Sequence, residues 1–233
     1  MTAAPSRIGR KPVFNKDSLG AAGLKVGLLD ITVAAVAKEV GVRSSALYRL
    51  VNDRTDLVVL AVEKIASLTP LLPGHGSWQE VLRDFADRLW GICESYPGFS
   101  SVLLTAPGTT AAFTPHLAGV RDQLVAHGFT DRQASFALAV VGDCVVGTHK
   151  VIDAIPGPAD DNGRTGDAPG YARPADPATW QRDYLSVKLD FLITSLGDNR
   201  PSTPVITTAD PAGATRLPAA EARPSVPAGD FTG

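Results

Sequence analysis

Three residues in the first quarter of the 233-residue chain are spaced for two short helices that cross at a tight turn. Ala37 is small enough for a close crossing, Gly41 can take the positive φ of a turn, and Leu47 can fill the joint. Thr32 is a suitable N-cap for the first of these helices. Its apolar residues fall on one stripe: Val33, Val36, Ala37 and Val40. The spacing predicts a helix-turn-helix.

The second helix of this pair is expected from Ser45 to Val51, with Ser44 or Arg43 as its cap. So short a helix is not stable alone and persists only by packing, so its outer face is free to serve binding. That face combines short polar side chains with long cationic ones: Arg43, Ser44, Ser45, Tyr48 and Arg49. Such a face can approach base edges and reach phosphates. Asp53 is expected to cap the next helix, with Asp56 behind it.

The remainder of the chain also shows helical periodicity, and no segment alternates as a strand does. Thr130 is expected to cap the long apolar helix, and Gly128 to close the helix before it. The fold class is therefore predicted as all-α. The helices expected after the N-terminal segment are one from Trp78 that stops at Pro97 and Gly98, then 100–104, 115–127, 131–155 and 180–196.

The distribution of proline and glycine predicts the domain organisation. Eleven of the 18 prolines lie in two segments, 156–178 and the C-terminal tail, and Pro70 and Pro73 mark a linker at 68–76. The predicted parts are a flexible basic arm (1–14), a helix-turn-helix domain (15–67), a second helical domain (77–197) with a mobile loop (156–178), and a disordered tail (198–233).

Charge separates the two helical domains. Residues 1–64 carry ten Lys and Arg against six Asp and Glu, whereas residues 65–233 carry twelve against eighteen. A basic head on an acidic body suggests that only the head meets a polyanion, although an excess of this size can also arise by chance.

Several other classes of protein find no support. The sequence lacks GxSxG, P-loop, GxGxxG and HExxH motifs, so an enzyme is not expected. The four histidines and two cysteines have no metal-ligand spacing, and no metal, cofactor or disulfide is predicted. No apolar run reaches about 18 residues and no signal peptide opens the chain. A cytoplasmic protein without a membrane span is expected.

The run VAKEVGVRSSALYRLVNDRTDLV resembles the DNA-binding domain of the tetracycline-repressor (TetR) family. The diagnostic residues are Gly41–Val42, Leu47–Tyr48, Val51, Asn52–Asp53, Arg54 and Leu57. The body resembles the family more weakly, through a Trp-initiated helix, a Tyr-Pro break and HGFTD before the long helix. The resemblance implies a homodimeric regulator, most often a repressor, that binds a palindromic operator and is released by a small-molecule effector.

The resemblance also implies roles for single residues. Ser44 and Ser45 would face the major groove, Tyr48 would donate its hydroxyl to a phosphate, and Arg54 would replace the usual lysine near another phosphate. The residues expected to contact DNA are Thr32, Arg43, Ser44, Ser45, Tyr48, Arg49 and Arg54. A buried core position competes with the phosphate contact for Tyr48. The first helix contains Gly20, Gly23 and Gly27, which predicts local distortion or a head that is mobile until it binds.

In the body, aromatic and ionisable residues are the candidates for an effector site. They are Trp90, Phe99, Phe113, His116, Phe136, Asp143 and His149, and an ordinary core or surface position competes for each one. Gly142, Gly147, Ala137 and Ala139 are interpreted as close packing between subunits in a four-helix interface. Val102 to Pro107 lacks the histidine that tetracycline-binding members use, so tetracycline is not expected. The alternative function is a helical protein that binds or modifies small molecules without specific DNA binding.

Overall fold

In the computed structural model, the described residues are 14–71, 75–153 and 177–201, with no side-chain description for 177–182. Every regular element in these ranges is helical, which confirms the all-α prediction. The predicted arm (1–14, apart from Phe14), most of the loop (156–178) and the tail beyond Pro201 lie outside the described residues.

The described helices are nine α-helices and one short 3₁₀ helix. The head is formed by four of them: α1 (Lys16–Val26), α2 (Val33–Val40), α3 (Ser44–Leu47) and α4 (Arg54–Leu68). The body is formed by α5 (Trp78–Ser95), α6 (Phe99–Thr105), the 3₁₀ helix (Thr109–Phe113), α7 (Thr114–Ala126), α8 (Asp131–Asp153) and α9 (Pro177–Asp198). The 3₁₀ helix lies in a segment that the sequence predicts as loop, and α9 begins three residues earlier than predicted.

The close crossing of α1 and α4 holds the head together. A Cβ atom on Gly20 would overlap the carbonyl oxygen of Leu60, and one on Gly23 would come within 3.2 Å of the Ala61 Cβ. Lys64 on α4 adds an ion pair to Asp17, with Nζ 2.8 Å from the carboxylate. The prediction of a distorted first helix is wrong, because Gly20 and Gly23 lie at the crossing inside a regular helix.

Gly27 has a different function from the other two glycines. It follows α1 with φ = +99° and donates its N–H to the Gly23 carbonyl, so it ends the helix. At the other end, Asn15 and Ser18 form a reciprocal capping box, with Ser18 N–H 2.9 Å from the Asn15 side-chain oxygen.

In the body, α8 packs against α5, α6, α7 and α9, and its inner residues are buried in the common core. Ser77 and Glu80 form a capping box at the start of α5, and the hydrogen bonds from Ser77 lower the pKa of the Glu80 carboxyl. Thr130 and Gln133 form a second capping box, at the start of α8, where the sequence predicted Thr130 as the cap. Gly128, with φ = +87°, closes α7.

The long helix α8 is apolar enough to cross a membrane by length and composition alone, with a mean hydropathy of 1.4. In the structure, 44% of that window is buried in the protein interior, and four helices of the body pack against α8. Its apolar character is therefore explained by its place at the centre of the helical core.

Candidate nucleic-acid interface and ligand cavity

The turn between α2 and α3 has the geometry that the sequence predicts. Thr32 caps α2 by accepting the Ala35 N–H at 3.0 Å. Gly41 takes φ = +76°, and the Val42 N–H then donates to the Ala37 carbonyl at 2.9 Å. Leu47 is fully buried and fills the joint between the two helices.

The helix α3 is shorter than predicted, because its regular part ends at Leu47 and not at Val51. The chain still coils to Val51 through tighter turns, with Leu50 N–H donating to Leu47 O at 2.8 Å. Arg43 occupies the cap position without a side-chain hydrogen bond. These tighter turns bring the chain to Asn52 and Asp53, directly before the start of α4.

The outward face of α3 is open to solvent. Arg43, Ser45 and Arg49 are exposed, Ser44 is half-buried, and Tyr48 exposes 58% of its surface. The alternative that Tyr48 is a core tyrosine is therefore wrong. Within the described ranges, neither the Tyr48 nor the Arg49 side chain has a hydrogen-bond or ion-pair partner, so both side chains are available to an external ligand.

Arg54 is engaged within the protein. Its Nε donates to the Ile31 carbonyl at 2.8 Å, and its terminal nitrogen approaches the Leu29 carbonyl at 3.4 Å. These bonds fasten the start of α4 to the turn that precedes α2. A cation at a helix N-terminus is otherwise mildly unfavourable, and the two carbonyl oxygens offset this. Asp53 caps α4 as expected, by accepting the Asp56 N–H at 3.1 Å.

Head and body are also in contact outside the linker. The Leu29 side chain lies over Gly98, where any Cβ would collide with it, and Val59 of α4 packs beside Gly108. The linker is fixed by a further bond, since the Leu71 N–H donates to His116 Nδ1 at 3.0 Å. The head is therefore held to the body at three places, and two of them involve segments next to a cavity.

A cavity of about 410 Å³ lies within the body, in the size range of small-molecule sites. Its walls are mainly leucine and phenylalanine, with a few polar groups at the rim. The lining residues on α5 to α7 and the linker are Leu71, Phe85, Leu89, Leu103, Leu104, Thr110, Phe113, Thr114, Leu117, Ala118 and Arg121. Those on α8 are Ser135, Leu138, Ala139, Gly142, Asp143 and Val146.

Two of the seven candidate effector residues, Phe113 and Asp143, line this cavity. Phe99 is fully buried and packs edge-on against Phe113, with ring centroids 5.8 Å apart. His116 lies on the far side of Phe113, and its Nδ1 binds the linker. Phe136 is half-buried against the core and does not line the cavity.

Trp90 and His149 form a separate buried contact, with ring centroids 5.0 Å apart. The His149 Nδ1 lies 3.3 Å from the Ser100 hydroxyl and 3.2 Å from the Asp153 carboxylate. Both neighbours share one ring nitrogen and Ser100 is fully buried, so this is a packing arrangement and not a nucleophile with its base.

The small residues of α8 differ in their surroundings within the protomer. Ala137 is buried, whereas Ala139 and Gly142 line the cavity and Ala139 is exposed, and the intersubunit packing of these residues stays a prediction. A run of small residues at helical spacing signals space on that face of the helix. The sequence does not show whether a second helix or a cavity occupies the space.

The two cysteines are free and sheltered. Burial raises the pKa of the Cys93 thiol to about 12, and burial also raises the pKa of the Cys144 thiol. Because the thiolate is the reactive form, we expect Ellman's reagent at pH 8 to modify Cys144 slowly and Cys93 more slowly still in the native protein. Unfolding in guanidinium chloride should release both. Fast native reaction of Cys93 would contradict the burial described here.

No protein-family model matches the chain. Among solved structures, a variant of TetR from Acinetobacter baumannii AYE bound to minocycline superimposes with a TM-score of 0.64 at 22% identity. The match covers 82% of this chain and all of that one. The chain has the TetR-family fold. A second similar structure is the TetR-family protein ActR of Streptomyces coelicolor bound to (S)-DNPA, with a TM-score of 0.62, 12% identity, and coverage of 81% and 100%.

One curated relative is also similar, the HTH-type transcriptional repressor DrrR1 of Streptomyces coeruleorubidus. It is 26% identical over 152 residues, which make up 63% of this chain and 56% of that protein. The chain therefore aligns with little more than half the length of this relative. The TetR fold and the names of these relatives agree with the family resemblance of the sequence.

Proposed function

We propose that the chain is a sequence-specific DNA-binding transcriptional regulator whose operator affinity is controlled by a small molecule in the body. The observation that carries this proposal is the exposed outer face of α3 and of the turn that follows it, where the Tyr48 and Arg49 side chains have no partner among the described residues. In α3, the inner residue Leu47 is buried and the polar side chains of the outer face are unpaired within the described ranges. This arrangement is typical of a recognition helix. The names of the similar proteins support the same function.

The regulator is proposed to act as a homodimer through the outer faces of α8 and α9. Phe191 and Val187 on α9 expose 71% and 68% of their surfaces, and Val151 near the end of α8 exposes 48%. Exposed apolar residues of this size at helical spacing are typical of a subunit interface. A two-fold axis would place the two copies of α3 in successive major grooves about 34–36 Å apart on a near-palindromic operator.

The effector cavity is proposed to control the head through the segments that touch both. Phe113 lines the cavity, and the 3₁₀ helix that ends in this residue packs against α4. Leu71 also lines the cavity and is bonded to His116. A ligand that favours one arrangement of these segments would favour one spacing of the two heads, by its differential affinity for the two states. Because the curated relative is named a repressor, we propose that ligand binding releases this protein from its operator. The proposed location of this regulation is the cytoplasm.

The experiment that tests the function is a selection of bound sequences from random duplex DNA with the purified full-length protein at moderate salt. We expect an enriched inverted repeat whose affinity falls steeply with salt, because phosphate contacts release counterions. Recovery of no sequence by a folded protein would contradict the proposal. It would favour the alternative, a helical protein that binds small molecules, for which the cavity alone would be the functional site.

Tyr48→Phe is expected to weaken operator binding about tenfold, because it removes one hydroxyl donor to a phosphate and nothing else. Phenylalanine keeps the ring, and the Tyr48 hydroxyl has no hydrogen-bond partner among the described residues, so the free energy of unfolding should not change. Fluorescence anisotropy with the selected operator measures the effect. Tyr96→Phe, in the body at the end of α5, is the matched control and should bind normally. Normal binding by Tyr48→Phe would show that the hydroxyl does not contact DNA.

A further inference from the structure

The charges around the cavity indicate which chemical class of effector it accepts. Among the described residues that line the cavity, Arg121 is the only cation, and it is already paired on two sides. Its Nε lies 3.0 Å from the Asp131 carboxylate, and a terminal nitrogen lies 3.2 Å from Asp122. These two carboxylates offset the charge of the guanidinium and make it a weaker partner for an anionic ligand than an unpaired arginine would be.

Asp143 is in the opposite situation. It lines the cavity on α8 as an exposed residue, and among the described residues its carboxylate has no hydrogen bond and no ion pair. Its helical neighbours three and four positions away cannot supply a cation: Ala139, Val140, Val146 and Gly147. The nearest lysine along α8, Lys150, donates instead to the Ser101 hydroxyl at 2.7 Å.

The remaining polar groups do not change this balance. The Ser135 hydroxyl donates to the Asp131 carbonyl at 2.8 Å, and Thr110 and Thr114 are neutral. Asp122 and Asp131 lie outside the lining and offset the charge of Arg121, so the unpaired Asp143 carboxylate leaves the rim of an otherwise apolar cavity negative. Asp143 is exposed, and an apolar occupant would remove part of the water around its carboxylate without replacing it, which is unfavourable. An occupant with a positive charge at that point would instead form an ion pair.

We propose that the effector is an amphipathic organic cation, with an apolar body in the leucine- and phenylalanine-lined cavity and a protonated nitrogen paired with Asp143. This assignment rests on the proposed regulatory function of the cavity. It excludes carboxylic acids and acyl anions as the preferred class, because they would face the unpaired carboxylate and find Arg121 occupied.

The test uses three probes with one skeleton: 6-phenylhexylamine, 6-phenylhexan-1-ol and 6-phenylhexanoic acid. Isothermal titration calorimetry at neutral pH with the full-length protein should show the amine binding about five- to tenfold more tightly than the alcohol, as expected for a partly exposed ion pair. The acid should bind more weakly than the alcohol. Tighter binding of the acid, or no binding of any probe, would overturn the proposal.

Asp143→Asn locates the effect, since it removes the charge and keeps the shape. It should bring the amine to the affinity of the alcohol and leave the alcohol within about twofold of the parent protein. Asp87→Asn is the control, because Asp87 lines a second cleft of about 270 Å³ beside Trp90 and Asp183, where an amine could also bind. Loss of the amine preference in Asp87→Asn, or its retention in Asp143→Asn, would place the cation elsewhere.

Calorimetry needs no DNA, so this result is separate from the test of the proposed function. The amine could bind through Asp143 and leave the affinity for the selected operator unchanged. This result would contradict the proposed regulatory function but support the proposed cationic class of ligand. An operator-binding protein that prefers the acid would retain the function and contradict the ligand class.

Discussion

Gly20→Ala is expected to lower the free energy of unfolding by about 2–3 kcal/mol, a large effect for one methyl group. The added Cβ would overlap the Leu60 carbonyl oxygen, which is a backbone atom of α4 and cannot rotate away. The two helices must therefore separate or shift, and the crossing supports α2 and α3. Urea denaturation followed by circular dichroism measures the change, and operator binding should weaken in parallel.

Gly91→Ala is the matched control for this prediction. Gly91 lies within α5, and a Cβ there would meet nothing within 4 Å. Because alanine is the better helix former, this substitution should raise the free energy of unfolding by up to about 1 kcal/mol. If Gly20→Ala were neutral or stabilising like the control, the close crossing of α1 and α4 would be refuted.

Phe191→Glu is expected to convert the proposed dimer into monomers and to weaken operator binding by about 100-fold or more. The side chain exposes 71% of its surface in the protomer, so the substitution should leave the fold of one chain intact. In a two-fold interface the change places two carboxylates near the axis and removes two apolar anchors. Light scattering coupled to size-exclusion chromatography reports the mass, and anisotropy reports the affinity.

Ser186→Glu tests whether the charge alone is responsible. It adds the same group to an exposed position of α9, five residues earlier and so about 140° around the helix from Phe191. We expect this variant to remain dimeric and to bind the operator normally. A dimeric Phe191→Glu protein, or a monomeric parent protein, would show that the face with Val187 and Phe191 is not the interface.

Local sequence rules predicted the head well, because each signal acts within a few residues of itself. Thr32, Gly41 and Asp53 form the caps and the turn that were expected from their positions. The predicted length of α3 is wrong because the end of this helix depends on where α4 must begin. The distortion predicted from Gly20 is wrong for a related reason. The sequence shows only an unfavourable residue within a helix, whereas the packed structure shows Leu60 beside it.

The cavity was much harder to predict than the head. Of the aromatic candidates, Phe113 lines the cavity, whereas Phe99 is fully buried and Trp90 borders the second, smaller cleft. A cavity forms where side chains are too small to fill the space between helices, so Ala139 and Gly142 were the better signals. Asp143 could be identified from sequence as a charge within an apolar helix, whereas the pairing of Arg121 depends on contacts with a neighbouring helix.

The crossing at Gly20 and Gly23 also determines how this head could be exchanged between regulators. Because α1 meets the backbone of α4 directly, a chimera that joined the recognition helix of this chain to a foreign α4 would lack the matching groove. Arg54 strengthens the restriction, since it fastens α4 to the Leu29 and Ile31 carbonyls. The smallest segment that would carry the proposed DNA-binding face intact is therefore the whole head through Leu68, with the splice in the linker.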